Sequence, residues 1–502
     1  MRKMMSDFPA GMFSLFINGR LRPAENNAYF ESTDPSTGEV FAQVADGSVA
    51  DMRQAISAAR KAFEVGPWPR FSVRERGVYL SKIAGLIREN AKILADLECA
   101  DTGKTIKHTT FIDVPTVADT FDYFGQATLS LEPESLSLSA PVQSNIEHEP
   151  VGVVGCLIPW NYPLIMFGWK VAPALMAGNA VILKPSQLAS VSILKLAAII
   201  ERAGLPEGVL NIVATAQHQA GKELIESRAV DKISFTGGTT FGQDVMRMAS
   251  ANTKKLTLEL GGKSPNIVFA DCDFEAALGG TMSAIFMNQG QMCTAGSRLL
   301  LEEKIYDHFL NCLLEKTRKL KIGPAMSYET DFGPLISRGH RDQVLKFIGI
   351  GEKEGAHLAV GGKIPDIRGR EKGFYLEPAI FTGVDNQMSI AQEEIFGPVL
   401  SVIKFSDSEE AVSIANDSRY GLAACVWTKD LDKANSVARR LRCGTVWVNT
   451  YGGFYNEAPF GGYKQSGFGR ELGREGLLEY TQTKHICTDR TSGGQPLVSS
   501  WF

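Results

Sequence analysis

A cysteine, a carboxylate and an amide stand out as groups able to do chemistry. Cys293 sits in Asn-Gln-Gly-Gln-Met-Cys-Thr-Ala-Gly-Ser-Arg, polar and glycine-rich surroundings that read as a turn rather than a core. Most cysteines are inert packing residues, and a reactive thiolate needs special surroundings. Cys156, Cys425 and Cys443 lie in apolar, strand-like runs and read as packing, whereas Cys293 does not. Glu259 ends an alternating strand in Lys-Lys-Leu-Thr-Leu-Glu-Leu-Gly-Gly-Lys-Ser-Pro, just before glycines that must turn the chain. It either caps or pairs with a neighbour such as Lys263, or acts as a general base, a role that needs an electrophile and a proton to remove. Asn161 lies in Pro159-Trp160-Asn161-Tyr162-Pro163 inside an apolar stretch. A buried amide must be hydrogen-bonded, so this one is structural glue or a deliberate donor. The turn Phe235-Thr-Gly-Gly-Thr-Thr-Phe-Gly242 has the first two glycine spacings of a triphosphate-binding loop, but Gln243 and Asp244 stand where Lys and Ser or Thr are needed. The motif therefore argues against triphosphate hydrolysis, while backbone amides at a helix start still suit a diphosphate.

The elements that position these groups follow from periodicity. Met52, Ala55, Ile56, Ala59, Ala62 and Phe63 follow Ser48 at helical spacing, and Gly66-Pro67 ends that run. Ser72-x-x-Glu75 reads as a capping box opening a helix with Leu80, Ile83, Ala84, Ile87, Ala91 and Leu94 on one face. Residues 133–150 begin with polar and apolar residues in alternation, the period of a half-exposed strand. Apolar runs at 151–158, 180–184, 209–213 and 231–236 then alternate with helical segments near 163–177, 188–203 and 218–227. That order predicts a parallel sheet with right-handed crossovers, which places ligands at the carboxyl ends of its strands. A second α/β series runs from about 265 through 297–303, 398–404 and 422–427 to the strand at 445–449, and a glycine-rich segment follows from Gly452 to Gly469.

Composition narrows the class. The 502 residues carry 52 Lys+Arg and 56 Asp+Glu, a net charge of −4, so no basic excess points to nucleic acid. Eight cysteines without a CxxC pair argue against a disulfide scaffold and for reduced thiols in a cytoplasmic setting. The first residues lack the apolar run of a signal peptide and read as a frayed end. One stretch strains the soluble reading. From Val151 to Leu183 the only charge is Lys170, long enough for a membrane helix, yet Pro159, Pro163, Pro173, four glycines and two asparagines break it. A strand, turn, helix and strand buried in a parallel sheet account for it better. A rival use of Cys293, as nucleophile of a hydrolase or amidotransferase, would need a histidine base, and the seven histidines show no such signature.

Taken together, Pro159-Trp-Asn-Tyr-Pro163, Lys184-Pro-Ser186, Phe235-Thr-Gly-Gly238, Leu258-Glu-Leu-Gly-Gly262, Gly290-Gln-Met-Cys293, Glu393-Glu-Ile-Phe-Gly-Pro398 and Pro459-Phe-Gly-Gly462 resemble, in order and over nearly the whole chain, the NAD(P)-dependent aldehyde dehydrogenase superfamily. The resemblance implies an α/β protein: a Rossmann-like cofactor domain (1–130 and 151–262), a second α/β catalytic domain (263–465), and a small β oligomerisation arm with a C-terminal tail (131–150 and 466–502). It implies that Cys293 attacks an aldehyde, that Asn161 and the Cys293 backbone N–H stabilise the oxyanion, and that Glu259 activates the hydrolytic water. It places NAD or NADP against Ile158, Pro159, Trp160, Phe235, Leu260 and Gly261, with Lys184 and Ser186 at the adenosine ribose, Gly221 at the adenine, Gly238 at the pyrophosphate, and Glu394 and Phe396 at the nicotinamide ribose and ring. No metal is implied.

Two departures bear on specificity. Gln187 stands where many NAD-specific relatives carry an acidic residue, which removes a repulsion against a 2′-phosphate, and Gly238 stands where many have Ser. Tyr162, Trp169, Phe454 and Phe460 occupy the family's substrate-tunnel positions, an aromatic box suited to an aryl aldehyde or a cationic head group. The run Asn-Glu-Ala-Pro-Phe-Gly-Gly-Tyr-Lys-Gln-Ser-Gly-Phe-Gly-Arg is similar to the betaine-aldehyde and aminoaldehyde branch, with Glu457 adding negative charge, and aromatic or general aliphatic aldehydes are the alternative. Segments 133–150 and 478–490 resemble arms that pair strands across a homodimer or homotetramer.

Overall fold

The computed structural model describes residues 11–127, 131–139 and 142–490. The expected N-terminal fray and the end of the tail, 491–502, lie outside those residues, as do positions 140 and 141 of the arm.

The apolar runs become an eight-stranded sheet in the order Gly467–Phe468, Lys255–Glu259, Lys232–Thr236, Val153–Leu157, Ala180–Lys184, Leu210–Ile212, Leu15–Ile17, Arg20–Arg22. Its five central strands are parallel. Four of them are buried along nearly their whole length, which is why they read as continuous apolar runs, while Lys255–Glu259 is exposed at its start and alternates. From Val153–Leu157 the chain first builds outward through Ala180–Lys184 and Leu210–Ile212, then returns to add Lys232–Thr236 on the other side. That reversal opens a crevice at the carboxyl ends of the strands.

The helix starts have the local causes read from the sequence, but the run expected as one helix through Ala91 and Leu94 breaks at Asn90 into Val73–Glu89 and Ala91–Thr102. Ser48 caps Val49–Glu64 and Ser72 caps Val73–Glu89, each with a reciprocal capping box to the residue three positions on. Helix Pro163–Met176 starts on a proline, whose missing N–H costs nothing there, and is buried on almost every side, Pro173 included. The membrane-like stretch is thus two covered strands joined by a turn and a covered helix. No helix among the described residues is long and apolar enough to cross a membrane.

A second sheet of seven strands runs His357–Val360, Ala379–Thr382, Val399–Phe405, Arg298–Glu302, Pro265–Val268, Ala423–Trp427, Thr445–Val448, parallel except for the first. A third joins Thr481–Asp489, Val142–Pro150 and Glu134–Leu136 into an antiparallel ribbon, largely solvent-exposed. The segment from 466, expected wholly within the arm and tail, divides instead. Gly467–Phe468 pairs with Leu258 and Glu259 at the edge of the first sheet, and only the strand from Thr481 joins the arm. The close approach demands glycine, since a Cβ at Gly467 would lie 1.9 Å from the Leu258 carbonyl oxygen.

Candidate active site

Four strand ends of the first sheet, at Leu157, Lys184, Thr236 and Glu259, open into one cavity of about 600 Å³. The loop carrying Cys293 closes it from the second sheet. Of the residues expected at a site, Ile158, Pro159, Trp160, Asn161, Tyr162, Trp169, Lys184, Ser186, Phe235, Gly238, Glu259, Leu260, Gly261, Cys293, Glu394, Phe396, Phe454 and Phe460 all line it. Three do not. Gln187 is solvent-exposed beside the Ser186 end, and Gly221 sits behind the wall, where a Cβ would meet Lys184 Cε at 3.3 Å. Glu457 is exposed and is not among the cavity's lining residues; its charge adds to burial in pushing up the phenol of Tyr123.

The loop carrying Cys293 is held by crossed amides. Asn161 Nδ2 donates to the Gln291 carbonyl at 2.9 Å, while Asn288 Nδ2 donates to the Asn161 carbonyl at 3.2 Å. The Gln291 side chain in turn accepts from Ile336 N at 3.0 Å. Asn288, Gln289 and Gly290 run consecutively through the left-handed region, a conformation that persists only where the surroundings impose it. On the far side, a Cβ at Gly262 would lie 2.4 Å from the Cys293 carbonyl oxygen, so the Leu-Glu-Leu-Gly-Gly turn and the cysteine loop touch backbone to backbone. One amide hydrogen of Asn161 is used in this brace and the other is left to act as a donor.

Two carboxylates flank Cys293. Glu259 is buried and neither oxygen has a hydrogen-bond partner. Burial, then the nearby Glu471, pushes its carboxyl well above the usual range, while Lys170 and Arg470 oppose that. Glu471 is itself paired with Lys170 at 2.5 Å, and Lys170 Nζ also donates to Ser234 Oγ at 3.0 Å. Glu394 accepts from Gly262 N at 3.1 Å, and burial raises it to about 7. A Cβ at Gly261 would meet Glu394 Oε2 at 2.0 Å, so the second glycine-rich turn must lack a side chain for this carboxylate to reach the cavity. The thiol of Cys293 is raised to about 12 by burial and then by Glu394 and Glu259, with the Thr294 and Cys293 backbone N–H groups opposing. A thiol so placed ionises when a positive charge or a proton acceptor comes within reach.

The cavity fits a dinucleotide. Gly238 caps helix Thr239–Ala249 without a side-chain hydrogen bond, and space around it is open, since a Cβ there meets nothing within 4 Å. The first-turn N–H groups therefore face an anion-sized opening. Half-buried Lys184, pulled down to about 8 by desolvation, donates to the Pro185 carbonyl. At the other end Trp160 meets Phe396 edge to face at 5.2 Å, and Phe396 is held at φ +57°, which costs a bulky residue about 1–3 kcal/mol.

The aromatic side chains lie together on the cavity wall. Trp169 lies 5.6 Å from Phe454 and 5.5 Å from Phe460, and those two lie 5.3 Å apart, all centroid to centroid. Tyr162 joins the wall with Lys104 Nζ 4.5 Å over its ring centroid and His108 at 5.4 Å. Lys104 is fully buried in an ion-pair cluster with Glu98 at 2.9 Å and with Asp113.

These features match known proteins. The aldehyde dehydrogenase family profile covers residues 22–486. The chain belongs to the aldehyde dehydrogenase family. It is 46% identical over 492 residues to a betaine aldehyde dehydrogenase of Bacillus subtilis strain 168, covering 97% of this chain and 99% of that one. An NADP/NAD-dependent aldehyde dehydrogenase of Escherichia coli K12 is 44% identical over 476 residues, 94% of each chain. A crystal structure of Staphylococcus aureus betaine aldehyde dehydrogenase in complex with NAD+ superposes with a TM-score of 0.95 at 39% identity, covering 100% of this chain and 98% of that one. The protein is an NAD(P)-dependent enzyme of this family. Among the residues that sequence reasoning missed are His108, Met166, Lys170, Met287, His340 and Glu471. Lys170 had a signal, as the one charge in an apolar stretch that folding must bury and therefore pair.

Proposed function

We propose that Cys293 adds to the carbonyl carbon of an aldehyde whose oxygen lies between the Asn161 amide and the Cys293 backbone N–H. The thiol proton must leave as the C–S bond forms, and Glu259, unpartnered and raised, is the acceptor within the cavity. The two N–H donors stabilise the thiohemiacetal oxyanion where its charge develops. NAD(P)+ supplies the hydride acceptor, so loss of the carbonyl hydrogen leaves a thioester on Cys293. Once Glu259 has passed the thiol proton on to solvent, it takes a proton from water as that water attacks the thioester; the C–S bond breaks, the carboxylic acid leaves, and the Cys293 thiolate recovers the proton from Glu259. The observation that carries this reading is the convergence of Cys293, Asn161 and Glu259 on one cavity whose other end is formed by Trp160, Glu394 and Phe396.

For the substrate, the relatives' names and the aromatic box support an aldehyde with a cationic head, betaine aldehyde or an aminoaldehyde. The carboxylates lining the cavity are Glu259, Glu394 and Glu471, and the last two are already bonded, to Gly262 and to Lys170. With Glu457 outside, a quaternary ammonium held by ring faces alone fits better than a primary ammonium, whose N–H groups need acceptors. The second reading, a neutral aromatic or aliphatic aldehyde, is favoured by the box itself, since the rings of Trp169, Phe454 and Phe460 pack on one another and bring no charge. Neutral Gln187 supports use of NADP beside NAD; Asp46, the carboxylate nearest Lys184 in effect, is engaged by Thr215 Oγ1 and Ala216 N. The protruding arm supports a homodimer or homotetramer, and the free cysteines a cytoplasmic setting.

Rates of reduced-cofactor formation with betaine aldehyde, an aminoaldehyde, benzaldehyde and hexanal, each with NAD and NADP, test these readings. Betaine aldehyde is expected to give the highest kcat/KM. Equal or better values with the neutral aldehydes sink the cationic box, and no turnover with any aldehyde sinks the oxidation.

A further inference from the structure

The strained Phe396 is held by a residue outside every motif discussed so far. Ser337 caps helix Arg338–Lys353 by accepting from His340 N, which fixes the first turn of that helix. His340 and Val344, one helical turn apart, share a face. Val344 meets Gly397, where a Cβ would come within 2.6 Å of Val344 Cγ2, and His340 Nε2 lies 2.7 Å from the Phe396 carbonyl oxygen. A carbonyl can only accept, so Nε2 carries the proton. The imidazole also packs edge-on against Trp160 at 5.3 Å, and Trp160 packs against the Phe396 ring. Burial favours the neutral imidazole, and the hydrogen bond to Phe396 opposes that only in part. On its other side the same backbone leans on the nucleophile loop, since a Cβ at Gly290 would lie 2.3 Å from the Gly397 carbonyl oxygen.

We propose that His340 is a positioning residue for the cofactor end of the site: its Nε2–H strap to the Phe396 carbonyl holds that residue in the left-handed conformation and so sets the wall made by Phe396 and Trp160. The reading rests on the proposed function, which assigns that wall to the nicotinamide, but it adds a group that neither touches the thioester nor lies in a family motif quoted above. It explains how a bulky residue keeps a positive φ without glycine. The helix supplies a donor at the carbonyl, a methyl group against the following glycine, and a ring against the ring of Trp160.

Two conservative variants separate reach from polarity. The side-chain nitrogen of glutamine stands where Nε2 of histidine stands, whereas that of asparagine falls short. Affinities for NAD+ and NADH are measured calorimetrically without aldehyde, beside thermal melting and the kinetic isotope effect with aldehyde deuterated at the carbonyl carbon. His340→Asn is expected to bind both cofactors about five- to tenfold more weakly, the size of one lost hydrogen bond, and to show a larger isotope effect. His340→Gln is expected to stay within about twofold of the wild type in both, by the same scale. Equal behaviour of the two variants, whether both match the wild type or both are weakened, overturns the strap, as does an isotope effect unmoved in His340→Asn. Because affinity is read without aldehyde, a wild type that binds cofactor but oxidises nothing would fail the proposed function and not this test.

Discussion

The two carboxylates beside Cys293 occupy the same cavity and have opposite surroundings. Glu394 is fixed by Gly262 N and fits where it is only because Gly261 has no side chain. Glu259 has no partner at all, and its room comes from Gly461, where a Cβ would lie 2.8 Å from Oε1. A bonded carboxylate is a positioned acceptor. An unbonded one, kept from ionising by burial and by Glu471, is a group that can take a proton and give it up again. Lys170 and Lys104 are both buried near the cavity and both ion-paired, Lys170 with Glu471 and Lys104 with Glu98.

The comparison breaks most visibly on removal of the proton acceptor. Glu259→Gln is expected to slow thioester hydrolysis by about 100- to 10,000-fold, with an initial burst of reduced cofactor followed by a slow steady state. Glu394→Gln is expected to show no such burst and to bind cofactor less tightly. A burst in Glu394→Gln and none in Glu259→Gln, seen in rapid mixing, would reverse the two roles. Asn161→Ala is expected to cost about 100- to 1000-fold in kcat, the worth of one oxyanion donor. Its melting temperature decides whether the loss is chemical, because the same amide braces the cysteine loop. The smallest effect is a shift in pH dependence. Turnover needs Glu259 ionised, so kcat rises with pH through a value above the ordinary carboxylate range. Glu471→Gln removes the charge that raises Glu259 and frees Lys170 to lower it, so the acid limb is expected to move to lower pH. An acid limb that moves upward or stays in place would show that Glu259 does not set it.

Much of this site was legible because its parts are short, local and chemically loud. The glycines of Leu-Glu-Leu-Gly-Gly are there for contacts that a Cβ would destroy, and the apolar runs of 151–183 are strands covered on both faces. Glu457 misled because closeness in sequence to Phe454 and Phe460 says nothing about which side of a loop a side chain leaves from. His340, Lys170 and Glu471 were illegible for the opposite reason. His340 meets Phe396 across 56 positions and Lys170 meets Glu471 across 301, and no local period records such a pair. The pairing of Gly467 with Glu259 was illegible too, because it is backbone to backbone, with no side-chain pattern to betray it.

The amino-acid sequence alone determined most of the elements and their parallel order and marked the candidate reacting groups, since helix caps, apolar periods and glycine turns are set by interactions within a few residues. Tertiary structure alone decided which carboxylate is free and which is bound, that the lone charge of the apolar stretch is neutralised by the C-terminal segment, and that Phe396 is strapped by a helix remote in sequence. Those outcomes depend on desolvation and on hydrogen bonds between distant strands and loops, quantities that exist only once the chain has closed around them.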